Sequence, residues 1–214
     1  MNRATIVLLL GLVLVSRAVG QPSARQTVAV FLKFDQAYSA DAVSEMRQQA
    51  ERLLAPLGFA PDWRLLESSD GTETFPHLAV IRFRGACRST GAPGLAPEPW
   101  TADRVLASSL VSGGKVLPFG EVLCDEVHRF LRGELRGLQP TQREQQYGHA
   151  LGSFVAHEIY HMLTNSVHHD REGAGKSCYR PAELRSKHLS FARGVGSGDG
   201  LGTAPAAQPS EITP

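Results

Sequence analysis

Residues 154–169, FVAHEIYHMLTNSVHH, restrict this chain more than any other stretch. His157 and His161 are four residues apart, so on a helix they stand one above the other on one face, and two imidazole nitrogens can reach one cation. Glu158 lies beside the first of them. A carboxylate there is within reach of a water on the cation without binding the cation itself, which is what a general base needs. The flanking residues Val155, Ala156, Ile159, Met162 and Leu163 are apolar, and an imidazole buried among such residues needs a partner. The pattern predicts a metal site on a buried helix, with His157 and His161 as ligands of Zn2+. His168 or His169, beyond the helix end, is the third ligand. A helix carrying two ordinary core or surface histidines is the plainer alternative.

The N-terminus bears on where such a site would work. Arg3 precedes an apolar run, Ile6 to Val15, too short to span a membrane comfortably as an ordinary helix, and Ala18-Val19-Gly20 offers small residues for cleavage. Residues 1–20 are therefore expected to be a signal peptide, with the mature chain starting at Gln21; an uncleaved anchor is the alternative. The remaining length suits one domain with a real core, here 21–192, and is short for two. With 22 basic and 21 acidic residues the net charge is +1, which predicts no nucleic-acid partner and no stable membrane association after cleavage. The expectation is a secreted or periplasmic monomer.

Export changes how three cysteines are read, because an oxidising compartment allows bridges. A Cys87–Cys124 disulfide would tie a long loop to the core. Cys178 is left over, as an inert buried thiol, a partner of one of the others, or a soft ligand for the zinc.

Thr27 to Phe34 (TVAVFLKF) reads as a buried strand. Ser39 or Asp41 caps a helix whose apolar positions run from Ala42 to Leu54, and Pro56 and Gly58 stop it. Trp63–Leu66 is predicted as a short strand, Ser68–Gly71 as a turn, Leu78–Phe83 as another strand, and Cys87–Pro99, with three prolines, as a loop. Val105–Val111 and Val116–Leu117 flank Ser112-Gly113-Gly114-Lys115, a hairpin signal. Such a hairpin either covers the sheet or, if it borders the metal cleft, offers an unpaired edge to an extended peptide. Glu121–Leu135 is predicted as an amphipathic helix with a solvated charged face.

Thr141 and Glu144 have capping-box spacing and open a helix from Gln142 to about Leu163 that carries the histidines in its last turns. His149, two turns earlier, is read as a surface or core residue. Asn165 is the expected terminator, since it tolerates the left-handed conformation. Gly173 and Gly175 permit further bends. Pro181–Leu189 is predicted as a short final helix, and 193–214, rich in Gly, Ser, Ala and Pro, as a disordered tail. The predicted fold class is α+β: a mixed sheet packed on helices, with one long site-bearing helix and a small C-terminal subdomain.

His157-Glu158-Ile159-Tyr160-His161 followed by a later histidine resembles the zincin metallopeptidases and, within them, the metzincins. Where the metzincin pattern has Gly and His, this chain has Thr164 and Val167, and no methionine turn follows. It is also similar to a set of short, secreted, uncharacterised bacterial proteins in which a His and then a Gly follow at the spacing of His169 and Gly173. That likeness, which spans about residues 147–184, favours His169 over His168. The gluzincin arrangement would use Glu183 instead; Asp170 and Glu172 are lesser candidates. The resemblance implies a zincin-like fold and a secreted zinc metalloendopeptidase acting on peptides or proteins, with Glu158 as general base. Tyr160 or Tyr179 would help at the oxyanion. The alternative is a catalytically inactive zinc-binding structural or protein-interaction module, with Cys178 as fourth ligand.

Overall fold

A computed structural model describes residues 24–89 and 104–192. The predicted signal peptide, the cleavage point, most of the proline loop and the predicted tail lie outside the described residues.

Among the described residues the fold is α+β, with three helices and one mixed five-stranded sheet. The elements run β1 (Gln26–Phe34), α1 (Ala40–Leu54), β2 (Phe59–Leu65), β3 (Leu78–Arg84), β4 (Ala107–Ser112), β5 (Lys115–Leu123), α2 (Cys124–Leu135) and α3 (Pro140–Thr164). The sheet order is β2-β1-β3-β5-β4, parallel throughout except for β4, which runs antiparallel to β5 at one edge. The near-continuous apolar run of β1 suits a strand covered on both faces. Val28, Val30 and Leu32 join the core beneath the helices. On the opposite face Phe31 meets Phe75 edge-on at 5.6 Å, and the Arg64 guanidinium caps Phe75 at 4.9 Å.

Ser39 caps α1, its hydroxyl accepting from Ala42 N at 3.3 Å. Gly58, at φ 85°, ends the 3-10 turn that follows. The strand expected at Trp63–Leu66 starts earlier, at Phe59, and includes Pro61. A proline is tolerated there because β2 is an edge strand of the described sheet.

The helix expected from Glu121 begins at Cys124 instead. Glu121, Val122 and Leu123 belong to β5, where they pair with Arg82, Phe83 and Arg84 of β3. Their apolar spacing fits either element, and the parallel pairing with β3 decides it. Gly113 and Gly114, at φ 56° and 75°, form the two-residue hairpin turn before β5, as expected.

Thr141 and Glu144 do not cap α3. Gln139 is the cap, paired with Gln142, and Pro140 occupies the first helical position, where its missing N–H costs nothing. Glu144 is turned inward and accepts from Ser89 N at 3.0 and 3.1 Å.

Two glycines set the height of α3 over α1. A Cβ at Gly148 would lie 2.2 Å from Ala42 O, and one at Gly152 2.4 Å from Met46 O, so the two helices meet backbone to backbone. Gln49 Nε2 donates across the contact to Ser153 Oγ at 3.1 Å. The disulfide is Cys87–Cys124, with Cα atoms 5.1 Å apart and both residues fully buried.

The final helix is shorter than expected, a 3-10 turn over Pro181–Arg185. Beyond it the chain extends so that Leu189 and Phe191 reach the core, and Arg52 Nη1, not a helical N–H, donates to Lys187 O and Leu189 O. No helix among the described residues is long and apolar enough to cross a membrane.

Candidate metal centre

Every residue of α3 from Tyr147 to His161 is buried. That span is covered by the sheet, by α1 and by the C-terminal segment, so side chains on it are held by packing on several sides. Asn165 ends the helix in the left-handed conformation, at φ 47° and ψ 40°. Its Oδ1 also accepts from Val116 N at 2.9 Å, which pins the helix end to the β4–β5 hairpin. From there the chain doubles back across the face that carries His157 and His161.

The returning segment orients both rings. Ser166 O lies 2.6 Å from His161 Nδ1, and Ala174 O lies 2.8 Å from His157 Nδ1. A carbonyl oxygen can only accept, so each Nδ1 carries the hydrogen and each Nε2 presents a lone pair. The two Nε2 atoms then face each other at 2.9 Å. His169 closes the group, its ring centroid 5.2 Å from that of His157 and 4.8 Å from that of His161. One ligand nitrogen from each of the three lies within 4.8 Å of the others, a grouping in which a metal ion could be held.

The electrostatics suit a cation. Burial pushes the His157 pKa down to about 4, and burial also lowers that of His161, with His169 adding to the effect. Neutral imidazoles with facing lone pairs repel one another, and a soft-to-borderline cation between them turns that repulsion into coordination. The donor set therefore fits a metal, and zinc is compatible with all-imidazole ligation.

Glu158 is 4% exposed and lines the same cavity, of about 560 Å³, as the three histidines. Burial raises its pKa to about 7, partly offset by Ser109, whose Oγ donates to Glu158 Oε2 at 2.6 Å. One wall of the cavity is β4, represented by Ala107 and Ser109; the other includes Phe154, Cys178 and Tyr179.

Glu183 accepts from Lys176 Nζ at 2.6 Å and from Arg180 N at 2.7 Å, which caps its own 3-10 turn. His168 is exposed, and among the described residues neither it nor Asp170, Glu172 or Cys178 joins the three-histidine group. Cys178 is an exposed free thiol at the cavity wall, not a buried one. His149 is a core residue facing Glu45 Oε1 at 3.3 Å. Tyr179 donates to Ala174 O at 2.5 Å, so its hydroxyl supports the loop that orients His157; Tyr160 stacks on Phe191.

Sequence reasoning missed Ser109, since nothing in a hairpin pattern says which strand residue meets the helix. It also missed the two orienting carbonyls, which are backbone atoms and leave no mark on residue identity. No family model, curated protein or solved structure matches the chain.

Proposed function

We propose that this protein is a zinc-dependent metalloendopeptidase of zincin type, metzincin-like, acting in a secreted or periplasmic setting on peptide or protein substrates. The observation that carries the proposal is a buried carboxylate, Glu158, in the same cavity as three imidazoles whose nitrogens converge.

His157, His161 and His169 would hold the zinc, and three protein ligands leave a fourth position open. A zinc ion there supplies Lewis acidity, acidifying a water and polarising a peptide carbonyl. Glu158 takes the proton of the attacking water and delivers it to the departing nitrogen, so that the C–N bond breaks as an N–H bond forms. Ala174 O and Ser166 O hold the imidazole planes throughout, the outer-shell role that raises ligand basicity and fixes the tautomer.

β4 supports a peptide as the substrate. It is the outer strand of the sheet, its residues form one cavity wall, and Val105, Val111 and Val167 leave apolar surface exposed along the opening. An extended peptide could add to such an edge as a further strand, with alternate side chains entering the cavity. The rival reading, an inactive zinc module closed by Cys178, draws no support from a thiol that stands outside the nitrogen cluster.

The test is a broad peptide-library digest with zinc-loaded wild type and Glu158→Gln. The substitution should keep one zinc per chain and cut hydrolysis by about 10²–10⁴-fold, the usual worth of a general base. Unchanged hydrolysis would remove Glu158 from the chemistry, and a zinc-loaded wild type inert to every peptide would favour the inactive module.

A further inference from the structure

Among the described residues, the Glu158 carboxylate takes a hydrogen bond from a side chain on the edge strand. Ser109 Oγ donates to Glu158 Oε2 at 2.6 Å and lies 3.4 Å from Glu158 O, across a sequence separation of 49. A bond this long in sequence forms only if sheet and helix are brought to a set height there.

Two local features lie at that contact. Ser109 sits across the ladder from Gly120. A Cβ at Gly120 would come 2.8 Å from Met162 Cε and 3.2 Å from Ser108 O. With no side chain at that position, the methyl of Met162, one turn beyond Glu158, packs against the sheet beside this pair. The β4–β5 register then shifts between Ser109 and Val111, the kind of irregularity that re-aims a strand side chain.

We infer that Ser109 is the positioning residue for Glu158, its hydroxyl holding one carboxylate oxygen so that the other is presented to the cavity. The terminal torsion of a glutamate is broad and has no strong preference of its own. A reacting group left loose by about 1 Å can lose about 10²-fold in rate, so an anchor on Oε2 has a purpose. Because Ser109 belongs to the strand that would receive a peptide, it also links the seating of substrate to the aim of the base. The kinetic consequence rests on the peptidase reading; the Ser109–Glu158 coupling does not.

The experiment compares Ser109→Ala and Ser109→Thr with wild type, and repeats Ser109→Ala in a Glu158→Ala background. Ser109→Ala should lower kcat by about tenfold or more with KM within about twofold, and Ser109→Thr, which keeps the hydroxyl, should restore most of it. The visible absorption of the cobalt(II)-loaded proteins gives a readout free of turnover. Ser109→Ala should shift that spectrum when Glu158 is present and leave it unmoved when Glu158 is alanine. Equal spectral shifts in both backgrounds, or no shift in either, would overturn the inference. If wild type cleaves nothing, the peptidase reading falls and the cobalt comparison alone decides the role of Ser109.

Discussion

His157 and His161 turn their Nε2 atoms towards each other at 2.9 Å, while each Nδ1 faces a backbone carbonyl. Helical spacing accounts for the first half of that relationship and the returning chain for the second. Without the carbonyls of Ser166 and Ala174 each ring would be free to choose its tautomer. With them, both lone pairs are committed to one point, and His169 adds a third.

Removing His169 should therefore weaken zinc binding more than removing an outer-shell partner does. The expected loss for His169→Ala is above about 100-fold, the upper end of the outer-shell effect, measured by competition with a chelating dye. His168→Ala should bind as wild type does. The opposite ranking would move the third ligand to His168.

The metal-free protein should lose stability in acid, with a window set by His157. Its folded pKa of about 4 lies below the ordinary 6.5, so the fold favours the neutral ring. The contribution is complete above about pH 6.5 and is lost as pH falls towards about 4, with a ceiling of roughly 3 kcal/mol for that shift. Glu158 has the opposite sign: its folded pKa of about 7 lies above 4.5, so its contribution is present below that value and fades as pH rises through 7. Urea midpoints across this range should show His157→Gln flattening the acid limb and Glu158→Gln the neutral one. An unchanged acid limb in His157→Gln would contradict the buried, neutral ring.

The histidine spacing, the terminator Asn165 and the hairpin glycines were legible because each is a local rule written in residue identity. The start of α2 was not, since Val122 and Leu123 fit an amphipathic helix as well as a strand, and only pairing with Phe83 and Arg84 separates the two. The final helix failed for a related reason. Leu184, Leu189 and Phe191 are all buried, but the last two reach the core from extended chain whose carbonyls are held by Arg52. Long-range partners of this kind, Ser109 with Glu158 included, do not register in a local pattern.

Gly148→Ala should destabilise although alanine is the better helix former. Its methyl would meet Ala42 O, a backbone atom that cannot rotate away. Overpacking of about 1–3 kcal/mol outweighs the roughly 1 kcal/mol that alanine gains in a helix. Gly133→Ala on the exposed face of α2 meets nothing within 4 Å and should raise the melting temperature instead. Two changes of the same sign in thermal melts would contradict the close α1–α3 contact.

Opening the Cys87–Cys124 bridge, by reduction or by the double serine variant, should cost about 4 kcal/mol for a loop of this length. Neither cysteine lines the cavity that holds the histidines, so the fraction that stays folded should still take up one zinc. Loss of zinc uptake by folded protein, followed by circular dichroism alongside metal analysis, would show the two features to be coupled.

X-ray absorption at the zinc edge of the loaded protein tests the three-imidazole centre most directly. The expected spectrum has three imidazole nitrogens at about 2.0–2.1 Å and one further light atom at the open position. A sulfur scatterer at about 2.3 Å would mean that Cys178 closes the site, and an imidazole count below three would contradict the centre itself.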